Sequence, residues 1–167
     1  MIGIIGAKGR IENIEKFINK TNEFSRKNDV SIQAFDANLI FGKMHIISAY
    51  EHAKRAFERL SNTTNSIEME TLLYASGERQ IQKAIKKMGI KKGHSNIAIV
   101  FIDNNLSDNI IQNFLKEQNL VKDDNILEGN INTLQKFGIS DEEISTVSDT
   151  RYQDIILEKV ALVDIIK

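Results

Sequence analysis

The sequence predicts a single α/β (α+β) domain over residues 1–167, with a mixed β-sheet of about four strands packed with several α-helices and a helical C-terminal part. Three observations carry this expectation. Short β-branched runs such as MIGIIG and IAIVFI are bounded by turn residues. Longer stretches repeat their apolar residues at helical spacing, and the last forty residues carry helix start and stop signals without a strand run. A chain of 167 residues needs only one core. Its 41% apolar and 27% charged residues are ordinary for a globular chain and far from the composition of disordered ones.

Residues 1–6 read as the first strand, and Gly3, Gly6 and Gly9 as a glycine-rich turn, since their spacing is not the G-x-G-x-x-G of a dinucleotide loop. Ile11, Ile14, Phe17 and Ile18 then mark an amphipathic helix to about residue 24. Val30, Ile32 and Ala34 alternate with polar neighbours, which gives a second strand to about residue 35, with Asp36, Ala37 and Asn38 as the connection. From 45 to 60, Ile47, Tyr50, Ala53, Phe57 and Leu60 form the apolar stripe of a helix.

Ser61 opens a polar loop. Residues 67–75 are ambiguous: Ile67, Met69, Thr71, Leu73 and Ala75 alternate like a strand face, and strand is the reading adopted, with helix left as the alternative. Ser76 and Gly77 end this element, and Ile81, Ala84, Ile85 and Met88 give the seam of a helix closed by Gly89. Residues 97–102 form a continuous apolar run, hence a central buried strand, and the implied strand, helix, strand unit makes part of the sheet parallel. Ile110, Ile111, Phe114 and Leu115 mark a helix from Ser107, with Asp108 suited to the positive end of its dipole. A short helix spans 131–137 and stops at Gly138, and Ser140 with Glu143 three residues on starts another. Residues 152–166 are apolar almost all round, so this last helix must be buried on two sides, by its own core or by a partner.

The net charge of −1 provides no global field towards nucleic acid or membranes, so any such binding needs a local patch. The absence of cysteine excludes disulfides, thiolate nucleophiles and cysteine metal sites. Neither a signal peptide nor a run long enough to span a bilayer is found, and cytoplasm is the default location. No P-loop, H-E-x-x-H or G-x-S-x-G motif occurs, which predicts a protein that is not an enzyme and uses no cofactor. His45 and His52 stand seven apart without a third ligand beside them, and read as solvated or hydrogen-bonding residues in place of a metal site.

What stands out is local charge. Arg79, Lys83, Lys86, Lys87, Lys91 and Lys92 follow one another with only Glu78 at the edge, on a chain that is otherwise nearly neutral. Such a strip can neutralise a few phosphates. The turn before it adds a helix N-terminus whose free N–H groups favour anions, Gly77 for close approach, and Arg79 and Gln80 as planar donors. A solvated amphipathic helix behind a serine-glycine turn accounts for the same residues.

The stretch EMETLLYASGERQIQKAIKKMGI resembles the archaeal form of the smallest conserved subunit of the KEOPS complex, the family of the PRPK-binding protein TPRKB. ILEKVALVDI is similar to that family's closing helix, and DANLIFGKMHIISAYEHAKRAF to its middle helix, so the resemblance covers most of the chain in order. It implies a non-catalytic subunit with two partners, the kinase-like subunit of KEOPS and the single-stranded 3′ CCA end of tRNA. In that role it supports threonylcarbamoyl modification of tRNA adenosine 37, with no small-molecule substrate of its own and no membrane. The resemblance places Ser76, Gly77, Arg79 and Gln80 in the tRNA-contacting region, and the charge argument adds Lys83, Lys86 and Lys87. Tyr74 and Tyr50 are the nearest aromatic candidates for base stacking. Ile156, Val160 and Val163 on the last helix are core or kinase contact. The alternative function is a protein-only adapter that activates the kinase subunit without touching RNA; a small-molecule enzyme with an anion pocket at the Gly77 turn is a third.

Overall fold

A four-stranded sheet divides the molecule into two helical layers, as seen in a computed structural model that describes residues 1–167. Strand β1 (Ile2–Ile11) is followed by α1 (Ile14–Asn28), β2 (Ser31–Asp36), α2 (Gly42–Glu58), α3 (Ile67–Ser76), α4 (Ile81–Met88) and β3 (Gly93–Ile102). Then come α5 (Asp108–Glu117), β4 (Val121–Lys122), α6 (Ile131–Phe137), α7 (Asp141–Ser145) and α8 (Tyr152–Ile166). The strand order is β2-β3-β1-β4, and every pairing is antiparallel. The sheet is therefore not mixed, because the segment expected to supply a parallel strand is a helix.

That segment is α3. Its start is fixed by Ser66, whose hydroxyl accepts from the Met69 amide, and its end by Gly77 in the left-handed region at φ 70°. All seven residues from Glu70 to Ser76 are buried. A helix enclosed on nearly every side leaves no 3.6-residue periodicity to read, and chance alternation then mimics a strand.

Two more expectations change. β1 runs through Gly6 and Gly9 and ends at Ile11, in register with β3 from Ile2 opposite Ile102 to Ile11 opposite Gly93. The glycines are not a turn. The chain crosses β1 so closely that a Cβ at Gly6 would lie 2.3 Å from the Asp123 carbonyl oxygen, and one at Gly9 2.4 Å from Leu120. On α2 the buried face is His45, Ile46, Ala49, Ala53 and Ala56, while Leu60 is 89% exposed. Here small side chains form the seam against α3, and the larger ones of the expected stripe lie at its border.

Strand alternation builds both cores. In β3, Ile97, Ile99 and Phe101 point to the layer of α1 and α5, where Phe24 and Phe101 both meet Phe114 edge to face. Ala98 and Val100 point to the layer of α2, α3, α6 and α8. The capping signals hold: Ser140 accepts from the Glu143 amide to start α7, and Gly138 ends α6 at φ 105°. No helix is long and apolar enough to cross a membrane.

Candidate nucleic-acid interface

The turn between α3 and α4 is braced from inside. Ser76 is fully buried; its hydroxyl donates to the Leu73 carbonyl and accepts from the Glu78 amide. Gly77 backs onto Phe137 and Lys159, 3.4 and 3.6 Å from where its Cβ would stand. Lys87 belongs to the same brace: its ammonium donates to the Ser76 carbonyl at 2.8 Å, lies 3.7 Å from Glu78 and sits 3.7 Å above the Phe137 ring. Burial and the nearby Lys159 push its pKa below the usual lysine value, against the opposing pull of Glu78. Arg79, Gln80 and Lys83 are exposed, and neither Arg79 nor Lys83 has an ion-pair partner.

The basic strip is thus split between two faces of α4. Lys83 and Lys87, one turn apart, follow the braced side, whereas Ile85, Lys86 and Gly89 line a groove of about 1030 Å³. The groove runs along β2, one of the two edge strands, with α1 as one wall and α3 and α4 as the other. Ile14, Ile18 and Ile85 project into it 36%, 45% and 45% exposed, over a floor that includes Phe17 and Ile32. Phe17 is the one aromatic lining residue. Lys86 has no ion-pair partner, and the Lys91 ammonium folds over the last carbonyls of α4.

The groove has two unlike ends, and the sheet register tells them apart. Lys91 stands two residues before Gly93, which pairs with Ile11 just before α1 begins at Ile14. Its ammonium reaches the Lys86 carbonyl, so Lys86, Lys91, Ile14 and Ile18 share that end. Asp29 and Asp103 flank Ser31 and Ile102, which pair at the opposite end. Glu68, in the first turn of α3, lies there too, because Ala75 at the far end of α3 is bonded to His45, beyond Asp36. Arg26 is the single cation on that side.

The opposite flank of α3 is closed by polar groups. Glu70, fully buried, accepts from the amides of Thr63 and Thr64, the Thr64 hydroxyl and the Lys167 ammonium at 2.6 Å. Burial opposes its charge, but these donors outweigh it and hold the carboxyl below its ordinary range. Tyr74, one of the stacking candidates, is buried against His52 and donates to Asp164, which also pairs with His52 at 2.7 Å. Tyr50, the other, is half-buried. His45 accepts the Phe41 amide at Nδ1 and so donates from Nε2 to the Ala75 carbonyl.

On α8, Ile156, Val160 and Val163 are each fully enclosed, which makes them core. The free apolar surface belongs to their neighbours Leu162, Ile165 and Ile166, with Ile165 77% exposed. Sequence reasoning missed these three, and also Ile14, Ile18 and Ile85, because an apolar residue carries no mark of which side of its helix is left uncovered.

The pattern of the family described as kinase binding protein CGI-121 matches residues 10–164. No curated protein matches. The match takes in the braced turn, both walls of the groove and almost all of α8.

Proposed function

This chain belongs to the kinase binding protein CGI-121 family, and on that premise we propose that it is a non-catalytic KEOPS subunit that docks on the kinase-like subunit and captures the single-stranded 3′ CCA end of tRNA. In this role it positions tRNA for threonylcarbamoyl modification of adenosine 37 in the cytoplasm and carries out none of that chemistry itself.

The groove along β2 carries the RNA half of this reading. Single-stranded nucleic acid is bound where a cationic groove follows the phosphates and a stacking platform, ordinarily aromatic, receives the base faces. Lys86 and Lys91 supply the cations, and Ile14, Ile18 and Ile85 an exposed apolar surface in place of an aromatic platform. Arg79, Gln80 and Lys83 extend the exposed polar rim beyond the groove, while Ser76, Gly77 and Lys87 serve the RNA indirectly by fixing the turn that aims α4. The kinase half rests on Leu162, Ile165 and Ile166, an uncovered apolar patch on a helix otherwise anchored in the core. Titration of tRNA with and without its CCA end, at two salt concentrations, tests the RNA half: CCA-bearing tRNA binds more tightly, and equal affinity overturns it.

The α8 patch also favours a second reading, a protein-only adapter that activates the kinase subunit while RNA binds elsewhere. Reversal of Lys83, Lys86 and Lys87 to glutamate then leaves tRNA capture by the assembled complex unchanged.

A further inference from the structure

The closing turn of α8, residues 164–167, ties its charged side chains to α2 and α3 and leaves its apolar ones in solvent. Asp164 accepts hydrogen bonds from the Tyr74 hydroxyl and from His52 Nδ1, the latter at 2.7 Å. Lys167 reaches the fully buried Glu70 at 2.6 Å, with its ammonium 4.7 Å above the Tyr74 ring. Tyr74 stands at the centre of these ties: fully buried, its ring stacked on His52, it meets both charged residues of the turn. Ile165 and Ile166, between them, are 77% and 45% exposed, and Leu162, one turn back, joins them on the surface.

A helix ordinarily frays here, because its last carbonyls have no partner within the helix. Two isoleucines on a fraying turn must be ordered when a partner binds, which costs affinity for every side chain fixed. The ties remove much of that cost in advance. They also decide what a partner meets: both ionic groups of the turn already have hydrogen-bond partners within the chain, so the free surface is apolar, bounded by the exposed Glu158 one turn before Leu162. We infer that this turn is a preformed apolar knob, received by the kinase-like subunit in an apolar socket, with an affinity that depends on the ties around Tyr74 and hardly on salt. The inference rests on the docking half of the function proposed above and adds the chemistry of the partner's surface and the residue that preforms the contact. Tyr74 is a positioning residue: completely enclosed, it touches no partner and acts through Asp164 and Lys167.

The test titrates the full chain and its Tyr74→Phe and Ile165→Asp variants against the purified kinase-like subunit by calorimetry at low and high salt. Hydrogen exchange of the amides of residues 164–167 is followed in each free chain. Phenylalanine keeps the ring and its stacking on His52, and removes only the hydroxyl that holds Asp164. The wild-type affinity is expected to vary by no more than about twofold over the salt range, since no exposed charge takes part. Tyr74→Phe lowers that affinity about tenfold, the cost of ordering the turn on binding, and its closing amides exchange faster. An affinity that falls steeply with salt overturns the apolar socket. A Tyr74→Phe chain that binds like the wild type although its closing turn exchanges faster overturns the preformed knob, and so does a loss of affinity without faster exchange, since its cause then lies outside the turn. Ile165→Asp separates these failures from that of the docking reading: if it binds as tightly as the wild type, docking on α8 falls and the knob with it, whereas if it alone loses binding, docking on α8 stands without the preformed knob.

Discussion

Helix α3 has two flanks, and they are finished differently. Towards α8, Glu70 and Tyr74 sit in a closed network with Thr63, Thr64, Lys167, Asp164 and His52, and no buried side-chain polar atom is left without a partner. Towards β2 and α1, Glu68, Met69 and Leu72 line an open groove whose isoleucines touch no covering layer. Burying a carboxylate with an ammonium is costly unless every donor and acceptor is met, so the closed flank reads as a device for holding one packing arrangement. Leaving several isoleucines uncovered has a cost too, and in the proposed role a ligand surface offsets it. Substitutions on the closed flank should therefore change stability and spare RNA recognition, and those on the open flank the reverse.

The sharpest way to break that division is Glu70→Ala. It strands the Lys167 ammonium and the Thr64 amide in a buried site, a loss of about 3 kcal/mol or more when one partner of a buried pair is removed. For a domain of this size that lowers the melting temperature by roughly 6–12 °C. At 10 °C, below the transition, RNA affinity stays unchanged. A large loss of RNA binding by a folded Glu70→Ala protein shows that the two flanks are coupled.

Acid tests the same flank of the core without mutation. Burial pushes the His45 pKa down to about 4, the Ala75 carbonyl partly opposing it and the Lys87 charge adding to it. In the unfolded chain the ring titrates near 6.5, so between pH 6.5 and 4 the unfolded state binds the extra proton and stability falls as pH drops. The expected loss is on the order of 3 kcal/mol across that window. Urea unfolding at pH 7 and pH 4.5 measures it, and a His45→Gln variant should lose most of that slope while being less stable at pH 7.

How much of this was visible in the sequence depended on whether neighbouring residues alone decided it. The Ser140 and Glu143 start of α7, the Gly138 stop of α6 and the bounds of α8 are local signals, and they held. α3 was misread because Glu70 and Thr71 are as buried as Leu72 and Leu73, which erases the contrast on which periodicity depends. The glycines of β1 answer to Asp123 and Leu120, more than a hundred residues away in sequence. The basic strip was legible as charge, but its division into a braced face and a groove face required the positions of Phe137, Glu78 and β2. The groove itself, assembled from α1, β2 and α4, leaves no trace in any single stretch.

The apolar patch of α8 gives a third comparison, between its outer and inner faces. Ile165→Asp places a charge on a side chain 77% exposed, so folding stability should change by no more than about 0.5 kcal/mol. If the kinase-like subunit docks there, its affinity falls by about 30-fold, as expected for a contact at the centre of an interface. Pull-down of the kinase-like subunit by the variant reads this. Undiminished binding moves the docking surface elsewhere.

The smallest effects divide the basic strip itself. Lys83 and Lys87 are equivalent in sequence, one helical turn apart with the same charge, yet only Lys87 is tied to Ser76, Glu78 and the Phe137 ring. Lys83→Ala should weaken RNA binding by about threefold and lower the slope of log affinity against log salt by about 0.7, the signature of one fewer phosphate neutralised on a single strand. It should leave the melting temperature alone. Lys87→Ala removes a hydrogen bond and a cation–π contact worth together about 1 kcal/mol, a fall of roughly 2–4 °C in melting temperature. Its salt slope should match the wild type, because an ammonium already paired with the Glu78 carboxylate releases no counterion when RNA arrives. If the two substitutions exchange these signatures, the brace of Lys87 on Ser76 and Glu78 opens when RNA is bound, and Lys83 is not part of the rim that meets the strand.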